Sequence, residues 1–131
     1  MKILFDTNVL VSAVLSSGGH CSEIVDHCVH EHEPYTTDFI LDELKKVFRE
    51  KSFRVVGKPV DALLKFMNQF YILGQTADTV DKVCRDPDDD QILADALINH
   101  IDVIITGDKD LLDIKKYKGV RILAPKDYWI L

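Results

Sequence analysis

Val103-Ile104-Ile105-Thr106-Gly107-Asp108 decides the fold class. Four β-branched residues closed by a glycine read as a short buried strand, and an acid follows at once. Upstream, Asp88 to Asn99 reads as a helix with acids in its first turn, where the helix dipole favours them. Downstream, Leu111 to Tyr117 reads as a short helix and Val120-Arg121-Ile122-Leu123 as a last strand. At the other end of the chain, Lys2-Ile3-Leu4-Phe5 is a second apolar run ending in an acid, Asp6. Asn8 to Leu15 is apolar and stops at the loop signal Ser16-Ser17-Gly18-Gly19. His20 to Glu31 has helical spacing at Cys21, Ile24, Val25 and Cys28, and Pro34 ends it. Thr37 is placed to cap a helix from Asp38 to about Lys51, with Phe39, Ile40, Leu44, Val47 and Phe48 as its apolar positions. Val60 to Phe70 reads as another helix, Tyr71-Ile72-Leu73 as extended, and Gly74 to Val83 has no clear period. Strands alternating with helices predict an α/β fold, a three-layer sandwich with a mainly parallel central sheet.

A chain of 131 residues, 47% apolar and 29% charged, is one globular domain spanning 1–131 and excludes a disordered chain. No run approaches the ~20 apolar residues of a membrane helix, and Asp6 interrupts the start too early for a signal peptide. Cys21, Cys28 and Cys84 cannot all pair with one another, so reduced thiols and a cytoplasmic protein are expected. A net charge of -6 argues against loose nucleic-acid binding over the whole surface. An acidic site can still meet phosphate through bound cations.

Four acids are out of place for ordinary surface residues. Asp6 and Asp108 each follow a strand, where open α/β sheets put their ligands. Glu43 has Phe39, Ile40 and Val47 at helical spacing, and Asp90 sits over Leu93, Ala94 and Leu97. An unpaired carboxylate facing the sheet must be protonated, paired or bound to a cation. No buried base matches them, and hard oxygen donors without Cys or His point to Mg²⁺ or Mn²⁺ rather than zinc. Caps and solvated turns account for any one of the four more easily than for all together. Of the remaining acids, Asp88 and Asp89 read as cap or first-turn residues that either could shift into the site. Asp95 lies on a mixed face and reads as surface, and Asp110 is a further ligand or an orienting group.

Four motifs together resemble a known family. Phe5-Asp6-Thr7-Asn8-Val9-Leu10-Val11 resembles the opening motif of PIN-domain ribonucleases, and Asp42-Glu43-Leu44 their second acidic motif. Asp86-Pro87-Asp88-Asp89-Asp90 with Ile92-Leu93-Ala94 resembles the third, and Thr106-Gly107-Asp108-Lys109-Asp110-Leu111-Leu112 the fourth. The resemblance spans positions 3 to 125, and short chains of this kind resemble the VapC-like toxins of toxin–antitoxin pairs. It implies a Mg²⁺- or Mn²⁺-dependent endoribonuclease with Asp6, Glu43, Asp90 and Asp108 as catalytic, metal-binding acids. Thr7 and Asn8 would orient the first acid, with Thr106 or Ser12 assisting. Many such toxins have Asn where Asp108 stands and an acid at the position of Asp110, so either of these two is the fourth ligand.

The expected chemistry is attack of a metal-activated water, leaving 5′-phosphate and 3′-hydroxyl ends. Asp6, Asp90 and Asp108 would contact metal, while Glu43 holds a second ion or orients the water. Lys45, Lys46, Arg49, Lys51, Arg54 and Lys58 face one acid, Glu50, and form either a phosphate-positioning patch or a solvated helix face. Lys109 is a phosphate contact or an internal counter-charge, and Phe48 and Phe53 stack on bases or fill the core. His20, Cys21, His27, Cys28, His30 and His32 invite a zinc reading, but the spacing fits no closed finger and core thiols with surface histidines is favoured. A phospho-aspartate phosphatase would want a second Asp where Asn8 stands. The apolar tail Tyr128-Trp129-Ile130-Leu131 packs on the core or feeds a dimer interface, and the helices from 20 to 70 offer surface for an antitoxin helix. Expected partners are RNA, an antitoxin and a second copy, with no membrane. The alternatives are a structure-specific nuclease without antitoxin, and a catalytically silent RNA- or protein-binding module.

Overall fold

Strand β1 (Lys2–Phe5) lies inside a six-stranded sheet, and its Ile3, Leu4 and Phe5 are all buried, as a strand covered on both faces requires. The structure is a computed structural model that describes residues 1–16, 18–50 and 57–131. β2 (Glu33–Thr36) and β4 (Val103–Ile105) flank β1 in parallel, so that Ile3 pairs with both Pro34 and Val103. β3 (Ile72–Leu73) lies outside β2. β6 (Val120–Leu123) lies outside β4, and β5 (Lys116–Tyr117) closes that edge antiparallel to it. The strand order is β3-β2-β1-β4-β6-β5.

The helices are α1 (Thr7–Leu15), α2 (His20–Glu31), α3 (Asp38–Glu50), α4 (Gly57–Phe70), α5 (Pro87–Ile98) and α6 (Lys109–Ile114). The chain moves outward from β1 to β3, then returns past β1 to β4 and on to β6. Right-handed crossovers therefore put the helices before and after this reversal on opposite faces. α1 packs against α2, α3 and α4 on one face; α5 and α6 take the other. The three-layer α/β sandwich is the one expected. Its topological switch lies between β1 and β4, and a crevice opens beyond their carboxyl ends.

Four local features depart from the sequence reading. Residues 7–15 form a helix, with Asp6 as its N-cap. Pro34 lies within a paired strand, not merely after a helix. The amide of Glu33 donates to Met1 O and the carbonyl of Thr36 accepts from Gly74 N, so alternation turns the nitrogen of Pro34 toward the β3 side. There it precedes the first β2–β3 pair, Tyr35 with Ile72, and no ladder bond is lost. The short helix after Asp108 ends at Ile114, not Tyr117. Lys118 (φ 46°) and Gly119 (φ 90°) then form the two-residue turn of the β5–β6 hairpin.

The fourth departure is Asp95. It is fully buried rather than on the surface, and it belongs to a row of α5 side chains that bind the irregular segment 74–84. Asn99 exchanges two hydrogen bonds with the backbone of Gln75, at 2.9 and 2.8 Å. Asp95 accepts from the Ala77 amide at 2.7 Å and from Gln91 Nε2 at 2.8 Å. Asp90 accepts from the amides of Val83 (2.9 Å) and Cys84 (2.6 Å). Side chains of one helix thus satisfy backbone groups that a neighbouring strand would otherwise pair.

At the far end, Tyr128 is buried in a final turn of 3₁₀ helix (Pro125–Ile130). It shares a 2.8 Å hydrogen bond with His27 Nδ1, while Trp129 Nε1 donates to His20 Nε2 at 3.0 Å. Cys28 is fully buried, and that burial pushes its thiol up to about 12, as for a thiol packed in the core.

Candidate functional site

Asp6 stands where β1 hands over to α1. Its Oδ1 accepts from the Thr7 amide at 2.7 Å, which caps the helix. Its Oδ2 accepts from the hydroxyl of Thr106 at 2.7 Å and from Asn8 Nδ2 at 3.1 Å. Asn8 in turn accepts the Gly107 amide at 3.2 Å, and Thr106 accepts the Asp108 amide at 3.0 Å. The turns after β1 and β4 are therefore laced together through Asp6, Asn8 and Thr106. Ser12 takes no part; it hydrogen-bonds with the Cys21 thiol on the α1–α2 side.

Glu43 reaches the same place from α3, accepting from the Thr7 hydroxyl at 3.0 Å. From the opposite layer come Asp86, Asp88 and Asp89. Asp86 caps α5, accepting from the Asp88 amide at 2.9 Å, and Pro87 at the first helical position suits that start. Asp108 caps α6 through the Asp110 amide at 2.8 Å. Asp6, Glu43, Asp86, Asp88, Asp89 and Asp108 line one cleft of about 260 Å³, with Thr7 and Asn8.

Asp90 is not among them. Its carboxylate turns to the Val83 and Cys84 amides, away from the cleft, and Asp89 takes the inward position. The expected placement of Asp90 is thus off by one residue, which on a helix is about 100° of rotation. The stripe that meets the sheet is Asp89, Ile92 and Ala96, each nearly or fully buried. Burial alone would raise Asp90, but the amides of Cys84 and Val83 outweigh it and hold the carboxyl below its usual range.

Asp6, Asp89 and Glu43 behave in the opposite way. Burial raises Asp6 despite the hydroxyl of Thr106 and the amide of Thr7, and the Asp108 charge adds to the rise. Burial, then the charges of Asp108 and Asp6, push Asp89 up to about 7. Glu43 is pushed up to about 7 by burial and by Asp88 across the cleft, against the hydrogen bond from Thr7. Asp89 Oδ2 is buried and lacks a hydrogen-bond partner, and oxygens of Asp89, Asp108 and Asp110 come within 4.8 Å of one another. Hard oxygens crowded together, one of them orphaned, are the donor set a Mg²⁺-like cation fits.

Asp110 also carries an ion pair that the sequence reading missed: Arg85 Nη2 lies 2.7 Å from its Oδ1 and 3.0 Å from its Oδ2. Lys45, Lys46 and Arg49 are exposed on α3, and Lys109 is exposed at the start of α6. Phe48 packs in the core. Lys51, Phe53 and Arg54, and the side chain of Lys58, lie outside the described residues.

Residues 2–110 match the family model of the PIN domain, a span that holds every residue lining the cleft. The chain belongs to the PIN-domain family. PIN domains are generally nucleases, and PIN nucleases generally use divalent metals. This PIN domain is 32% identical over 140 residues to the uncharacterized protein MJ1680 of Methanocaldococcus jannaschii, covering 98% of this chain and 89% of that one. Its fold is similar to a chain of VapBC2 from Rickettsia felis, solved bound to a DNA fragment from their promoter. The TM-score is 0.67 at 10% identity, with 95% of this chain and 98% of that chain covered.

Proposed function

We propose that this PIN-domain protein is a Mg²⁺- or Mn²⁺-dependent endoribonuclease and the toxin of a toxin–antitoxin pair. The observation that carries the reading is the cleft itself: acids from four separate stretches of chain meet at the switch between β1 and β4, and one buried oxygen of Asp89 has no partner. Asp6, Asp89 and Asp108 would hold the metal, with Asp110 at the rim; Asp89 replaces Asp90 in that role. A bound divalent ion would supply a water of lowered pKa and neutralise the scissile phosphate.

The remaining work falls to side chains already described. Thr7 and Thr106 fix Glu43 and Asp6 by their hydroxyls. Glu43, poised near neutrality, orients the attacking water and takes up its proton. The in-line attack leaves 5′-phosphate and 3′-hydroxyl ends. Exposed Lys45, Lys46 and Arg49 run along α3 beside Glu43 and position the RNA backbone.

An antitoxin would seat outside this cleft, on the layer of α1, α2 and α4. A groove of about 430 Å³ between α1, α2 and α4, lined by Ala13, Val14, Val25, Leu63 and Phe66 among others, suits an amphipathic helix. The fold shared with VapBC2 supports that partner. Exposed Trp129 and Ile130 beside α2 support a second copy docking there. Among the described residues no helix is long and apolar enough to cross a membrane, and a cytoplasmic site of action is the proposed one.

Asp6→Asn tests the activity. The variant should lose RNA cleavage in Mg²⁺ or Mn²⁺ while still binding RNA, and should relieve toxicity on expression. Products ending in a cyclic 2′,3′-phosphate would overturn the mechanism, because they mark the 2′-oxygen of the RNA as the nucleophile. Cleavage that Asp6→Asn leaves intact would overturn the site.

A further inference from the structure

Arg85 immediately precedes the N-cap of α5, and its Nη2 donates to both oxygens of Asp110. The Arg85 side chain is 86% exposed and that of Asp110 35% exposed. An ion pair this open to water contributes little to folding, so stability does not account for its place. Asp110 also belongs to the trio with Asp89 and Asp108 whose oxygens lie within 4.8 Å of one another. Asp89, nearly buried and with an orphaned Oδ2, is the independent sign that a cation belongs at that trio. One carboxylate is therefore shared between a guanidinium and a cation position.

We propose that Arg85 is a substrate-phosphate residue held on Asp110 until a divalent cation takes over that carboxylate. The inference rests on the metal-dependent nuclease reading above. Once Asp110 turns to a cation, the guanidinium loses its partner at the rim of an acidic cleft. Its planar fork of donors matches a phosphodiester, which the point charge of neighbouring Lys109 does not. A cation then improves RNA binding twice, by its own charge and by freeing Arg85. By reciprocity, RNA that captures Arg85 tightens the cation. The arrangement places a compensating positive charge in the site when it holds no cation, and moves that charge to the substrate when it does.

The test uses Arg85→Gln, Arg85→Lys, Asp110→Asn and the double variant Arg85→Gln/Asp110→Asn in the full chain. Thermal melts check that each stays folded, as so exposed a side chain leads one to expect. Mn²⁺ alone is titrated by the loss of its free-ion paramagnetic signal. Binding of a fluorescein-labelled single-stranded oligoribonucleotide is followed by anisotropy with Ca²⁺ as the cation. Arg85→Gln should bind Mn²⁺ about tenfold tighter and RNA about tenfold weaker, the scale of one partly solvated charge at contact range. Arg85→Lys should keep most of the wild-type Mn²⁺ affinity yet bind RNA less well, because the charge stays and the fork goes. With Asp110 already Asn, Arg85→Gln should no longer change Mn²⁺ affinity. Wild-type protein that binds Mn²⁺, with Arg85→Gln shifting neither affinity, overturns this proposal and leaves the nuclease reading standing. A folded wild type that binds no Mn²⁺ overturns that reading first, and this proposal with it.

Discussion

The hydroxyl of Thr106 donates to Asp6 Oδ2 at 2.7 Å across 100 residues of chain. The Thr106 hydroxyl oxygen in turn accepts the Asp108 amide at 3.0 Å, so one hydroxyl fixes both acids at the switch between β1 and β4. Thr106→Val keeps the shape and removes that bond from a buried carboxylate. We expect a loss of about 1–3 kcal/mol, read as a lower urea midpoint at unchanged slope. RNA cleavage should fall with it. An unchanged midpoint would deny Thr106 this part.

The cleft acids set a pH dependence of unusual sign. Asp89 moves from an ordinary 3.8, and Glu43 from 4.5, up to about 7, and Asp6 is raised as well. Each folded value lies above its unfolded one, so the folded protein binds more protons within that window. Stability is fully present below the ordinary values and is lost as pH rises toward about 7. Melting in chelator should drop across that range, and saturating Mn²⁺ should level the profile. Asp89→Asn should remove its own share of that slope without metal, leaving the part due to Glu43 and Asp6, and should gain about 1–2 kcal/mol above neutrality after allowance for solvent screening. A chelated wild type whose melting point rises toward neutrality would contradict this.

Asp89 and Asp90 are neighbours with opposite expected phenotypes. Asp90→Ala leaves the Val83 and Cys84 amides without their acceptor. It should cost about 1–3 kcal/mol while Mn²⁺ still binds. Asp89→Asn should abolish tight Mn²⁺ binding without that penalty. Paired melting and Mn²⁺ titrations read both, and the reverse pattern would return Asp90 to the cleft.

Asp95 anchors the middle of the 74–84 segment. Asp95→Ala removes the acceptor of the Ala77 amide and of Gln91 in a fully buried spot, and should cost about 2–4 kcal/mol. Gly74→Ala attacks the same strap from its start, because a Cβ there would stand 2.6 Å from Asn99 Oδ1. Amide exchange at Gln75 and Ala77 should quicken in both variants. Protection equal to wild type would show that the strap is held some other way.

The sheet was legible because Lys2–Phe5 and Val103–Ile105 are apolar runs that stop at acids, a pattern their burial enforces on both faces. β2 was hidden by Pro34, whose missing amide matters only if it points to a paired neighbour. Which way it points is a property of register, not of sequence. The meeting of acids in one cleft was readable at Asp6, Glu43 and Asp108, where strand ends or helical spacing single out one residue. Within Asp88-Asp89-Asp90 every choice of phase gives an acid, and the apolar stripe used to set that phase includes Ala94 and Leu97, only half-buried. They line a small hollow with Thr79 and with Tyr117 of the edge strand β5, away from the buried middle of the sheet. Asp95 was misjudged because its polar neighbours at helical spacing, Gln91 and Asn99, are themselves partners of a segment with no periodic signature.

Asp6, Asp86 and Asp108 are each both a cleft residue and the cap that starts a helix. The hinge of each element is thus also its tool, and the two cannot be re-engineered separately. Lengthening the chain by one residue at any of these three starts would swing a carboxylate a third of a turn out of place, whereas added length at the Lys118–Gly119 turn of the β5–β6 hairpin would leave all three untouched. Grafts or insertions meant to give this scaffold new specificity belong at the latter kind of position.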